Sequence, residues 1–222
     1  MHEKILYNNW LKYADSVGDF NPIHREKGEA EKFGLKNAIA PGMYILSFIQ
    51  KSGRINYIEA RFSGVVRDGD EIEIENEKNI FVREMPKPAV RITRISHDMP
   101  DNVEIKEPEV DCVYATEIND EKINNFLESI GMKADCGWLP EMYLVSLSAP
   151  ALLKWGEEKK MIGMHAIQSA EIHHQYAPGK IEIGVKNVGK KLGLEDFLLY
   201  WVQNNRVVAS GEAMIKPLYL LS

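Results

Sequence analysis

P-G-M-Y-I-L-S at residues 41–47 is echoed by P-E-M-Y-L-V-S at 140–146, an offset of 99 residues. Upstream, W-L-K-Y-A-D-S-V-G-D at 10–19 aligns without gaps against I-N-N-F-L-E-S-I-G-M at 123–132, an offset of 113. Two echoes in the same order point to an internal duplication. In the upstream pair Trp10, Tyr13, Ala14 and Val17 recur at i, i+3, i+4 and i+7, and Ile123, Phe126, Leu127 and Ile130 repeat that spacing. This is one apolar helix face, so each copy opens with a short amphipathic helix.

The 41–47 and 140–146 echoes begin markedly apolar segments, 41–51 and 140–155, whose few polar residues predict helices buried on most sides, with Pro150 kinking the second or ending it early. Alternation after turn residues predicts strands at 71–74 and 181–183, and further strands are expected at 58–66, 90–95, 110–117, 166–176, 197–203 and 207–216. Residues 85–88 and 97–108 read as Pro-containing polar loops. Each copy is thus an amphipathic helix, a buried helix and an antiparallel sheet. A sheet with one face to bury and a helix apolar nearly all round satisfy each other if the sheet wraps the helix. The expected class is α+β, with repeats over 1–118 and 119–222.

The 222 residues, 45% hydrophobic, are enough for one large domain or two small ones. No stretch approaches the ~20 apolar residues of a membrane span, and no secretory leader is visible, so a soluble, cytoplasmic protein is expected. A formal net charge of −6 argues against a nucleic-acid partner. Cys112 and Cys136 lack metal or disulfide spacing and read as reduced, space-filling thiols.

The copies differ after the first helix. Twenty-two residues, 19–40, precede Pro41, whereas eight, 132–139, precede Pro140. The extra length contains most of G-D-F-N-P-I-H, residues 18–24, so any chemistry it carries exists once per chain. Pro22 cannot continue the helix and keeps Asn21 out of the helical region, which leaves Asp19 and His24 free to converge. A carboxylate beside an imidazole that titrates near neutrality can hold a water and move its protons. Gly42, behind Pro41 at a helix start, offers outward-pointing amides at the positive end of the helix dipole, an oxyanion site in which Gly42 lets a ligand carbonyl approach. Glu141 stands at that position in the second copy. His173 and His174 are neighbours on an expected strand and point to opposite faces, so they do not read as a metal pair. No metal and no separate cofactor are expected.

G-D-F-N-P-I-H, with Tyr13 before it and A-P-G-M at 40–43 after it, resembles the signature of the MaoC-like, (R)-specific enoyl-CoA hydratase family of the hot-dog superfamily. G-E-A-M-I-K-P at 211–217 is similar to that family's last strand. The resemblance implies a double hot-dog, two long helices each wrapped by an antiparallel sheet, with the motif in the first half. It implies that Asp19 and His24 activate the water added across the double bond of a 2-enoyl thioester. Gly42 and Met43 then hold the thioester oxygen, and Asn21 and Pro22 fix the loop. Gln50 stands where some relatives carry a serine that orients the pair, and can hydrogen-bond there. The implied partners are an acyl-CoA substrate and a second copy of the chain in a homodimer, without nucleic acid or membrane. A non-catalytic acyl-thioester-binding subunit and a hot-dog thioesterase are the alternatives. Hydration keeps the thioester, hydrolysis liberates thiol, and a binder does neither.

Overall fold

The amphipathic segments form the helices their spacing predicts: α1 spans Tyr7–Val17 and α4 spans Asp120–Ser129. A computed structural model describes residues 1–98, 105–106, 108–133, 138–157 and 159–219. Cys136 and part of the 97–108 loop lie outside the described residues. The predicted apolar faces of α1 and α4 are buried. Gly18 stops α1 in the left-handed region at φ 79°, a conformation open to glycine without a Cβ penalty, and its N–H donates to the Ala14 carbonyl. Asn119 caps α4 by accepting from the Lys122 amide at 2.9 Å. A short helix, α2 (Lys27–Glu31), follows the G-D-F-N-P-I-H loop.

The apolar segments are shorter as helices than expected. α3 covers Gly42–Ser47 and tightens into a 3₁₀ turn over Phe48–Ser52. α5 covers Glu141–Ser146, and α6, Ser148–Glu157, restarts after Leu147. Both breaks follow a serine whose hydroxyl turns back to the carbonyl four residues earlier: Ser47 to Met43 at 2.7 Å and Ser146 to Met142 at 2.6 Å. Such back-bonding loosens a helix. Pro150 therefore lies in the first turn of α6, where a missing N–H costs no intrahelical bond.

The echoed residues meet one another. Tyr44 donates to the Ser129 carbonyl and Tyr143, 99 residues on, donates to the Ser16 carbonyl. The hydroxyls of Ser47 and Ser146 lie 3.4 Å apart. Tyr13, Tyr44, Phe126 and Tyr143 form a chain of ring contacts between these helices, with centroids 5.2–5.7 Å apart.

Around the helices curves one ten-stranded sheet. Its strands are β1 (His2–Lys4), β2 (Tyr57–Phe62), β3 (Glu71–Glu75), β4 (Asn79–Val82), β5 (Val90–Ser96), β6 (Cys112–Ile118), β7 (Met161–Ile172), β8 (Gly179–Lys191), β9 (Leu194–Gln203) and β10 (Arg206–Tyr219). Neighbouring strands pair antiparallel in the order β1-β3-β4-β5-β2-β7-β10-β9-β8-β6. The order reads alike from either end, with the β2–β7 pair at its centre. β1 and β4 escape sequence reading because three or four residues are too few to show a period. β7 begins earlier than expected, at Met161, and this places four of its residues in the wall of the site.

Candidate active site

Pro22–His24 form one 3₁₀ turn, with Pro22 at its start and the Asn21 side chain accepting from the Ile23 amide at 3.4 Å. The turn folds the loop back so that Asp19 Oδ2 lies 3.9 Å from His24 Nε2. The two residues are 2% and 7% exposed. At 3.9 Å they share no direct hydrogen bond, yet one water can reach both. Asp19 Oδ1 accepts from the Asn21 amide at 3.2 Å, and Asn21 Nδ2 donates to the Gly163 carbonyl on β7 at 3.2 Å. The loop is thus tied to the far half of the chain.

His24 is held in one tautomer. Its Nδ1 lies 2.8 Å from the Ile39 carbonyl, which can only accept, so the proton sits there and Nε2 turns its lone pair toward Asp19. The Trp10 indole N–H donates to the His24 carbonyl at 2.9 Å and pins the backbone. Burial pushes the His24 pKa below its ordinary 6.5 and favours the neutral ring, while the nearby Asp19 charge opposes it by favouring the protonated one. Tyr13, buried close by, has its phenol pushed up by burial and by Asp19.

Asp19, Asn21 and His24 open onto a cavity walled by apolar side chains including Phe62, Leu152, Met161, Met164 and Ile215. Gly42 and Met43 line it at the start of α3, where first-turn amides have no intrahelical acceptor. A Cβ on Gly42 would lie 3.0 Å from the Phe62 ring, so glycine is needed for that packing as well as for access. The loop residues Asp19, Asn21 and His24 and the helix-start residues Gly42 and Met43, singled out in the sequence, therefore face one space, next to Pro22.

Gln50 is the exception. Its Nε2 donates to the Gly53 carbonyl at 2.7 Å and to Glu141 Oε2 at 3.0 Å, and its Oε1 accepts from the Met142 amide at 2.8 Å. It is committed to the start of α5, and does not reach Asp19 and His24 as expected. Glu141 is buried against it, with Arg54 Nε 3.0 Å from Oε1. His165 on β7 lines the cavity beside His24 and was not singled out, because a lone histidine in an apolar strand carries no sequence signal. His173 Nε2 pairs with Ser210 Oγ at 2.8 Å, and among the described residues no three His, Cys, Asp or Glu side chains group as a metal site. Among them, too, no helix is long and apolar enough to cross a membrane.

Residues 4–97 match the family model described as MaoC like domain. No curated protein matches the sequence. Among solved structures, a MaoC domain protein dehydratase from Chloroflexus aurantiacus J-10-fl superposes with a TM-score of 0.68 at 9% identity, covering 100% of this chain and 94% of that one. A MaoC-like dehydratase superposes at 0.64 and 10% identity, covering 99% and 98%. The peroxisomal multifunctional enzyme type 2 of Drosophila melanogaster gives 0.60 at 12% identity, with 97% of this chain covering 48% of that one. Residues 4–97 are thus similar to MaoC-like domains, and the chain has a hot-dog-like fold, an antiparallel sheet with few helices, like that of the MaoC-like structures.

Proposed function

We propose that the protein is a hydro-lyase that reversibly hydrates a 2-enoyl thioester to the (R)-3-hydroxyacyl thioester, with coenzyme A as the thiol. The observation that carries this reading is the buried Asp19–His24 pair, 3.9 Å apart in the wall of an apolar cavity that a helix start also lines. A purely binding protein has no use for two buried acceptors set at the span of one water.

In this mechanism a water donates one hydrogen bond to Asp19 Oδ2 and one to His24 Nε2. Its oxygen bonds to C3 of the enoyl group while His24 Nε2 takes a proton. The electron pair of the double bond moves toward the thioester oxygen, which the Gly42 and Met43 amides receive. When the enolate collapses, the proton is delivered to C2, so one water is added and the pair returns to its starting state. Removing an amide donor from such a site typically costs ~10²–10³ in rate. Asn21 and Pro22 hold the loop.

The wider architecture is proposed as two fused hot-dog units, 1–118 and 119–222. The mirrored strand order and the reciprocal Tyr44–Ser129 and Tyr143–Ser16 contacts support it. A cytoplasmic homodimer of such chains completes the proposal.

The test follows loss of the conjugated thioester absorbance of crotonyl-CoA and a longer enoyl-CoA, with Asp19→Asn and His24→Ala alongside. Wild type should consume substrate without releasing thiol, and either variant should be slower by about 10²–10⁴ while melting near the wild-type temperature. Released thiol would identify a thioesterase. Wild-type turnover in either variant would remove the pair from the mechanism.

A further inference from the structure

β7 changes the face it presents part way along its length. Ile167, Ser169 and Glu171 line a groove on the outer side of the sheet, so odd-numbered residues point outward there. Where β7 pairs with β10, Met214 stands opposite Ile167 and Ile215 opposite His165, leaving Ala166 as an extra residue without a partner. One extra residue in a strand of period two inverts the pattern beyond it, and such bulges re-aim side chains beside active sites. His165 and its partner across the ladder, Ile215, accordingly both line the inner cavity with Asp19 and His24, as do the neighbouring Gly163 and Met164. A regular strand would have left His165 in the outer groove.

The bulge brings in a side chain with unused capacity. His165 Nε2 is buried and has no hydrogen-bond partner. A buried orphan of this kind calls for a ligand atom or an ordered water. The ring packs against Phe62, centroids 5.9 Å apart, and Phe62 in turn covers Gly42. Asp19 Oδ2 and His24 Nε2 are both acceptors, so they hold the two hydrogens of a water and offer nothing to its oxygen.

We infer that His165 is a substrate-contacting residue whose Nε2–H donates to the oxygen that joins or leaves C3 of the acyl chain. This rests on the hydratase reading above. Burial and the neighbouring His24 lower the His165 pKa to about 4, so the ring is neutral and does not compete for the proton His24 takes. It transfers no proton itself. Its hydrogen bond holds the hydroxyl of the product, or of the substrate in dehydration, in line with the pair.

Calorimetric titration of the full chain with (R)-3-hydroxybutyryl-CoA and butyryl-CoA tests this directly. Wild type should bind the hydroxyacyl ester about tenfold more tightly, the value of one hydrogen bond. His165→Phe should level the two affinities, and His165→Gln, which keeps an N–H, should recover part of the difference. In crotonyl-CoA hydration, His165→Phe should lower kcat about tenfold with KM little changed. A readout free of variants is the nitrogen-15 shift of the His165 ring, which should move with the hydroxyacyl ester and stay with the acyl ester. Equal wild-type affinities, an unmoved ring shift, or a preference that survives in His165→Phe would each overturn the assignment. A wild type that fails to hydrate but shows a hydroxyl preference lost in His165→Phe would instead sink the hydration reading and keep this contact.

Discussion

The starts of α3 and α5 carry the same echoed sequence, yet one is open and the other is filled. At α5 the Met142 amide is taken by Gln50 Oε1, and Gln50 and Arg54 clamp Glu141. Counted by the same 99-residue offset, the partners of Gln50, Arg54 and Glu141 are Ala149, Leu153 and Gly42, all three of which line the cavity. Three polar residues at one end are thus replaced by one small, one apolar and one side-chain-free residue at the other. A helix-start amide needs an acceptor, which the protein supplies from its own chain at α5 and which, in the proposed mechanism, the thioester oxygen supplies at α3.

The sharpest way to break this contrast is Gly42→Glu, which gives the open start the residue of the filled one. Its Cβ meets the Phe62 ring and its carboxylate enters the cavity, so enoyl-CoA turnover should fall by about 10² or more. Steady-state kinetics with a melting curve measures it. Gln50→Leu probes the filled start instead. It strands the Met142 amide and half of Glu141's partners, which should cost ~1–3 kcal/mol and lower the melting temperature by several degrees, with kcat unchanged. A collapse of kcat in that variant would mean that the two starts are coupled. Glu141→Ala, which leaves Arg54 its solvent side, should likewise spare kcat.

Acid separates the two ends more gently, because His24 and His165 are buried at the open one. The folded pKa of His165, about 4, lies below its ordinary 6.5, and that of His24 is lowered too. The unfolded chain therefore binds these protons first. Their contribution is intact above about 6.5 and is lost as pH falls toward 4. Melting temperature should drop over that window, and less steeply in His165→Phe. The acid limb of kcat/KM should fall below 6.5, since His24 must keep its Nε2 lone pair.

Much of this was legible beforehand. The echoes located the helices, and the loop around Asn21-Pro22 located Asp19 and His24, because backbone restriction at X-Pro and helix periodicity are local effects. Gln50 was misplaced because its side chain belongs to a contact 91 residues away, with Glu141, which no local rule sees. His165 was missed for a related reason: its direction depends on the Ala166 bulge, set by pairing with β10 rather than by its neighbours in sequence. The helix breaks after Ser47 and Ser146 depend on side-chain rotamers, which apolar periodicity does not report.

The hydrogen bond from Asn21 to the Gly163 carbonyl spans 142 residues. During synthesis the motif loop emerges well before β7, the strand that anchors it, and β10, which seats that strand, comes later still. Contacts of such long range are slow to form. Asp19 and His24 are therefore synthesised long before the strand that sets their loop in place, so a chain that stops short of β7 carries these residues without their arrangement.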